Sequence, residues 1–204
     1  MRTISCMNIS EELLYSSGAE TKVYKTGELI FKEGDQALYF HQIVSGKVKL
    51  NIYNEEGKEF IHNILGEKQS FGDSLMFLDK MYLMNAVALV PTEVIRLSKK
   101  SFLDLLKRIP DLSIEMNTCL SQRLYYKAVM IQNMASNNPV LRLTGLLDYL
   151  KSFHDCDSAH SFSVELTRQQ IANLVGLRVE TVIRALKKME RNGKIKLENR
   201  KILY

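Results

Sequence analysis

A chain of 204 residues with 46% hydrophobic content and a net charge of +5 has room for one large or two modest globular domains and enough apolar surface for a core. Three scattered cysteines, Cys6, Cys119 and Cys156, are too few and too far apart for a disulfide framework, and residues 1–10 lack the apolar stretch of a secretory leader, so the expected compartment is a reducing cytoplasm. No apolar run reaches the length of a membrane span; the patch at 86–90 is strand-sized.

Residues from about 20 to 98 read as β structure. Short segments rich in Val, Ile, Tyr and Phe, at 29–31, 39–44, 47–53, 59–65 and 94–97, alternate with turns at Gly27, Gly34, Gly46, Gly57, Gly66 and Gly72. Asn54-Glu55-Glu56-Gly57 lies between two strand patterns and reads as a hairpin loop. Many short strands at regular turn spacing imply a small barrel or roll. The period then changes. Ser101 can cap a short helix running to Leu106, with Pro110 marking its end, and a long helix follows from Asp111 with no Gly or Pro until Pro139. Its expected apolar stripe is Leu112, Met116, Leu120, Leu124, Ile131 and Met134, interrupted at Lys127-Ala128. A stripe this long exceeds what one roll can cover, so it predicts pairing with a second copy of the helix in a homodimer; packing on the chain's own roll is the alternative.

Asn137-Asn138-Pro139 reads as a hinge, 140–153 as an amphipathic helix with Leu143, Leu146, Leu147 and Leu150 inward, and 154–163 as a polar loop. From Leu166 the pattern sharpens. A short helix opens at Thr167, an N-cap type, with Ile171, Leu174 and Val175 as its apolar stripe. Gly176 supplies a tight turn, and a second helix follows with Val182, Ile183, Leu186 and Met189 as its apolar positions. Two helices joined this way form a helix-turn-helix, whose second helix reads the DNA major groove. Segments 193–197 and 201–204, flanking a turn at 198–200, read as a β-wing. Charge agrees: residues 1–137 carry 16 basic and 16 acidic side chains, whereas 167–204 carry 10 basic and 3 acidic, a net +7 on the proposed reading head. The expected fold is therefore α+β: a β-roll domain over 1–110, a dimerisation helix and hinge over 111–137, and a winged helix-turn-helix over 138–204.

This order resembles the Crp/Fnr family of bacterial transcription regulators. In the roll the resemblance rests on Gly27-Glu28, Glu33-Gly34-Asp35, Ile43-Val44-Ser45-Gly46 and Phe71-Gly72-Asp73. In the head it rests on Leu166-Thr167-Arg168-Gln169, Val175-Gly176 and Val179-Glu180-Thr181-Val182-Ile183-Arg184. It implies a cytoplasmic, homodimeric regulator of double-stranded DNA, with RNA polymerase as a partner. It also implies that Glu180 and Arg184 read base edges, and i and i+4 do share one helix face. Arg184 can bond a guanine O6/N7 pair and Glu180 can accept from a cytosine amino group. The alternative for this pair is an i,i+4 surface ion pair. Val179 stands where the cyclic-AMP-responsive branch usually has Arg; valine occurs there in Fnr-like members and can pack on a thymine methyl. Ile183 departs from the small polar residue that many Fnr-like proteins use. The implied site is an inverted repeat with a TGA-like core, with Thr167, Arg168, Gln169 and Thr181 on phosphates.

The same resemblance bears on the effector. Family members hold cyclic AMP with a Gly-Glu start to a phosphate cassette and a later Arg-Ser pair; here the cassette begins Phe71-Gly72-Asp73 and the aligned pair is Tyr82-Leu83. No arginine occurs between Arg2 and Arg96, and the two hydroxyl residues that meet the adenine are replaced by Lys127-Ala128. A buried phosphate without its arginine is an uncompensated charge, so cyclic AMP is not expected, and an unidentified small-molecule effector remains an alternative. An iron–sulfur cluster needs four thiolates, so it is not expected, and neither is haem on an isolated His41 or His62. His154, Cys156 and His160 do not make a metal site by spacing. Two other functions compete: a cyclic-nucleotide-binding module acting on another protein, which leaves the basic head unexplained, and an enzyme on a cupin-like roll, for which no cluster of metal ligands or nucleophile–base pair is visible.

Overall fold

The computed structural model describes residues 7–152, 154, 158–199 and 201–204, apart from the Met134 side chain. A short helix, α1 (Glu11–Ser16), is capped by the Ser10 hydroxyl, which accepts from the Leu13 N–H. Eight strands follow: β1 (Glu20–Tyr24), β2 (Leu29–Phe31), β3 (Tyr39–Ser45), β4 (Val48–Tyr53), β5 (Glu59–Leu65), β6 (Ser70–Phe71), β7 (Asn85–Ala88) and β8 (Thr92–Ser98), with a 3-10 turn at Asp73–Phe77. They form two four-stranded antiparallel sheets, ordered β1-β8-β3-β6 and β2-β7-β4-β5. Asn54 closes the β4–β5 hairpin as expected, its Oδ1 accepting from the backbone N–H of Glu56 and Lys58 at 3.1 and 2.8 Å.

The inward faces of these sheets make the core of the first compact unit, which runs to Leu120. Phe40 and Ile43 of β3, Val94 and Leu97 of β8, Val48 of β4 and Ala86 of β7 meet there. Helix α2 (Lys99–Arg108) covers one end with Phe102, Leu105 and Leu106, and Phe102 stacks on Phe40 with ring centroids 4.6 Å apart. Side chains of this size each stabilise by roughly 1.5–3 kcal/mol when fully buried. The cap of α2 is Ser98, whose Oγ accepts from Ser101 N–H, so the expected cap at Ser101 lies inside the helix. Pro110 marks the end of that helix as expected, since Ile109 before it leaves helical angles at φ −125° and ψ 87°, and it also opens the next helix, where its missing N–H costs nothing.

That next helix, α3 (Pro110–Ala135), corrects the expected dimer stripe. Met116 is 1% exposed and belongs to the roll core, and Leu112 and Leu120 pack against the same core. Leu124 and Ile131, by contrast, are 72% and 67% exposed. The reason is geometric. A step of four residues overshoots one helical turn by about 40°, so by Leu124 the stripe has rotated about 120° away from Leu112. The predicted line thus divides into a roll-facing half and a solvent-facing half, and the Met134 side chain lies outside the described residues. The boundary between the two compact units falls inside this helix, after Leu120.

The second unit runs from Ser121 to Tyr204. Helix α4 (Pro139–Lys151) starts at an Asn138 cap with Pro139 in its first turn, and buries Leu143, Leu146, Leu147 and Tyr149. It packs closely on the end of α3. Tyr126 and Tyr149 have ring centroids 5.6 Å apart, and a Cβ on Gly145 would fall 2.1 Å from the Asn133 amide nitrogen. Strand β9 (Ser163–Val164), in the stretch expected to be a polar loop, joins β10 (Lys196–Glu198) and β11 (Lys201–Leu203) in a three-stranded sheet ordered β10-β11-β9. Helices α5 (Arg168–Val175) and α6 (Val179–Arg191) complete the unit, their buried Ile171, Val175, Val182, Leu186 and Met189 closing over α4.

Candidate nucleic-acid interface

The head is built from local rules that can be followed residue by residue. Thr167 caps α5 with a full capping box: its Oγ1 accepts from Gln170 N–H at 3.1 Å, and the Gln170 side chain accepts from Thr167 N–H at 2.8 Å. Gly176 ends the helix at φ 66°, the left-handed conformation that a side chain would resist, and α6 begins three residues later at Val179. Arg178 is the N-cap residue of α6 but makes no side-chain cap bond, so its guanidinium is exposed beside the start of the helix. Glu180 lies in the first turn and Lys188 and Arg191 in the last, each at the end of the helix dipole that favours its charge.

Burial then defines the outward face of α6. Val182, Ala185, Leu186 and Met189 are buried; Glu180, Ile183, Arg184, Lys187, Lys188 and Arg191 are exposed; Val179 and Thr181 are half-buried. Glu180 and Arg184 stand on one face, and among the described residues no ion pair joins them. The expected inward role of Ile183 is corrected: it is 40% exposed, and Ala185 takes the buried place. Thr167 and Gln169 are exposed at the head of α5, the Gln169 amide donating to Asn173 Oδ1 at 2.9 Å, while Arg168 is half-buried and desolvation lowers its pKa. The wing is held to the helix by Glu190, whose Oε1 accepts from Leu197 N–H at 3.1 Å, and to β9 by the strand ladder. Of the expected wing turn, Arg200 lies outside the described residues. The exposed Arg178, Lys187, Lys188 and Arg191 were not assigned individually from sequence, where the +7 balance was their only signal; for Ile183, a helical wheel centred on the buried residues separates the outward position from the inward one.

The roll interior is a different environment. Phe71 is buried in β6, and Gly72 precedes the 3-10 turn at φ 71°, where a Cβ would lie 3.3 Å from His41 Nδ1 and 3.4 Å from the Tyr82 ring. Asp73 is 2% exposed and turned inward, where its Oδ2 accepts from Ser70 Oγ at 2.7 Å and its Oδ1 from Ser74 N–H at 2.8 Å. Tyr82 is buried, its ring stacked on Phe31 at 3.6 Å and its hydroxyl donating to the Tyr39 carbonyl at 3.2 Å. Burial pushes that phenol up to about 12. Leu83, its expected companion, is instead 70% exposed. Lys127 lies on the part of α3 that belongs to the second unit, where burial lowers its pKa to about 8. His41 is buried and stacked on Phe71 with ring centroids 4.9 Å apart. Among the described residues there is no group of three or more His, Cys, Asp or Glu placed to hold a metal ion, and no helix long and apolar enough to cross a membrane.

Comparison with known proteins gives two domain matches, a cyclic nucleotide-binding domain over residues 21–109 and a Crp-like helix-turn-helix domain over 141–204. The chain is 28% identical over 170 residues to the cAMP-activated global transcriptional regulator CRP of Pasteurella multocida, covering 82% of this chain and 81% of that one. It is 28% identical over 187 residues to the global nitrogen regulator of a Nostoc species, covering 89% and 83%. Its fold is that of FixK2 from Bradyrhizobium japonicum, with a TM-score of 0.73 at 20% identity over 91% of each chain.

Proposed function

Because this chain belongs to the Crp/Fnr family of transcription regulators and is not an enzyme, we propose that it binds an inverted-repeat DNA site as a homodimer and does so without cyclic AMP. The observation that carries this reading is the outward face of α6. It joins a carboxylate and a guanidinium, Glu180 and Arg184, to a row of exposed cations on a capped helix-turn-helix. Arg184 takes a guanine, Glu180 the amino group of a cytosine and Val179 a thymine methyl, while Thr167, Arg168, Gln169 and Thr181 set register on phosphates. RNA polymerase is the partner of the promoter-bound dimer, in the cytoplasm.

Dimerisation uses the solvent-facing line of α3. Ile114, Ser121, Ala128 and Ala135 recur every seven residues, as do Asn117, Leu124 and Ile131, and every one of them is exposed. This a/d spacing, with Ile114 and three small residues on one row and Asn117, Leu124 and Ile131 on the other, is that of a two-stranded coiled coil. The residues of the roll do not fit a cyclic nucleotide. Tyr82 occupies the expected place of the phosphate-binding arginine with a buried ring, Asp73 is committed to Ser70 and Ser74, and Lys80, nearest in sequence, is exposed. A cyclic phosphate there would bring its charge against an acid and an aromatic stack, and the nearby Arg96, its guanidinium 4.4 Å from the Tyr39 ring centroid, is already paired with Glu20 at 2.6 Å.

The test is fluorescence anisotropy of purified, ligand-free protein on a duplex with TGA-core half-sites in inverted repeat, beside a scrambled duplex, over a salt series. Selective binding that persists as salt rises, and is unchanged by added cyclic AMP, is the expected result. Equal, salt-steep binding to both duplexes, and to duplexes selected from a random pool, would overturn it.

A further inference from the structure

The outward face of α6 carries an apolar column beside its polar one. Val179 and Ile183 are i and i+4, as are Glu180 and Arg184, so the two columns run side by side along one face. Ile183 is the anomaly in this arrangement. Every other exposed residue of α6 from Glu180 onward is charged, and the helix has Ala185 to close its buried side. A β-branched side chain on an exposed helical position has a lower helix propensity than the Lys, Glu and Arg around it, and here it leaves apolar surface in water. It sits just before Arg184 in sequence and one turn after Val179, with 40% of its surface exposed.

We infer that Ile183 is a specificity-determining residue that reads a thymine by its C5 methyl group, next to the base pair held by Arg184. The inference rests on the reading of α6 as the DNA-recognition helix and names what that site selects. In the major groove the methyl is the only apolar feature that distinguishes one base from the others, and apolar side chains are what recognises it. Val179 and Ile183 lie about 6 Å apart along the helix, close to two base-pair steps of about 3.4 Å. The apolar column therefore meets thymines at positions flanking the G·C pair of the polar column, and each half-site gains a thymine requirement that Glu180 and Arg184 do not impose.

The experiment replaces each thymine of a selected half-site, one at a time and symmetrically in both halves, by deoxyuridine, which keeps every hydrogen-bonding group and removes only the methyl. Anisotropy is measured with the wild-type chain, Ile183→Ser and Val179→Ser. At one thymine the wild type is expected to lose about fourfold in affinity per half-site, the equivalent of one buried methyl, and Ile183→Ser is expected to lose nothing further there while Val179→Ser still does. Deoxyuridine without effect at every thymine, or the same loss in Ile183→Ser as in wild type, would overturn the inference while leaving DNA recognition by Arg184 intact. Absence of selective binding to any duplex would instead overturn the DNA-recognition reading, and this inference with it. Ile183 is exposed, so the serine variant is expected to keep its fold, checked by its thermal unfolding.

Discussion

His41 shows how one side chain carries a measurable consequence. It lies in β3 against Phe71 and Phe31, fully removed from water, and burial pushes its imidazole down to about 3, the Arg96 charge adding to the effect and the Tyr39 carbonyl opposing it. The folded pKa is thus depressed below the unfolded value of about 6.5. As pH falls below that value the unfolded chain takes up a proton that the folded chain refuses, so the neutral ring's contribution is complete above about pH 6.5 and is lost as pH falls toward 3. The expected slope is about 1.4 kcal/mol per pH unit. Urea unfolding of the wild type and of His41→Phe, which keeps the ring stack, should give a stability difference that grows with acidity at close to this slope between pH 6 and 4; parallel curves would mean that the ring is not held neutral. Arg184 gives the other residue-scale prediction. Arg184→Ala should cost roughly 1–3 kcal/mol per half-site on the specific duplex, the range for a bidentate guanine contact, but little on random DNA, so that the ratio of the two affinities collapses. Equal losses on both would reduce Arg184 to a phosphate contact.

At the scale of the element, the capping box and the α3–α4 contact are the points where a small change should be felt. Thr167→Ala removes the acceptor of Gln170 N–H and should lower stability by about 1 kcal/mol, read as a shift in the urea midpoint without a change in slope. Gly145→Ala is subtler. Alanine should gain up to about 1 kcal/mol of helix propensity, yet its methyl would meet the Asn133 amide at 2.1 Å and Cγ at 2.9 Å. Forcing that contact is expected to cost about 1–3 kcal/mol, so the single variant should be destabilised and Asn133→Ala should reverse the sign; additive effects in the double variant would show the two residues to be uncoupled. These elements also show what sequence could and could not reveal. Strands β2 and β5 and the helix-turn-helix were legible because alternation, glycine turns and an N-cap all agreed. β6 and β9, two residues each, carry no period to detect, and β1 is half polar because part of it faces water. Ile183 and the α3 stripe misled for a shared reason: an apolar residue at helical spacing was assigned inward, although an apolar side chain can equally be the surface that another molecule covers.

For the whole molecule the decisive quantity is which face of α3 remains open. Met116 and Cys119 are sealed in the roll core, whereas Ile114, Leu124, Tyr125 and Ile131 are each more than 60% exposed. An isolated chain would leave these four large apolar side chains in water along one helix, which a helix of this length has no internal means of covering. In the proposed dimer, pairing of the exposed line with its copy would remove that surface and supply the two reading heads that an inverted repeat requires. Replacing Leu124 and Ile131 together by Glu places like charges across the seam at two successive turns of the repeat and costs the fold little, because both side chains are already solvated. The expected outcome in sedimentation is a folded monomer at concentrations where the wild type is a dimer. On DNA, the double variant should keep its affinity for a single half-site and lose the added affinity of the inverted repeat. Met116→Glu should behave in the opposite way, since it buries a charge in the roll: thermal unfolding should fall sharply whatever the oligomeric state. If Leu124→Glu/Ile131→Glu remained dimeric, the interface would lie elsewhere on the surface, and the seven-residue repeat on α3 would be only a solvated face.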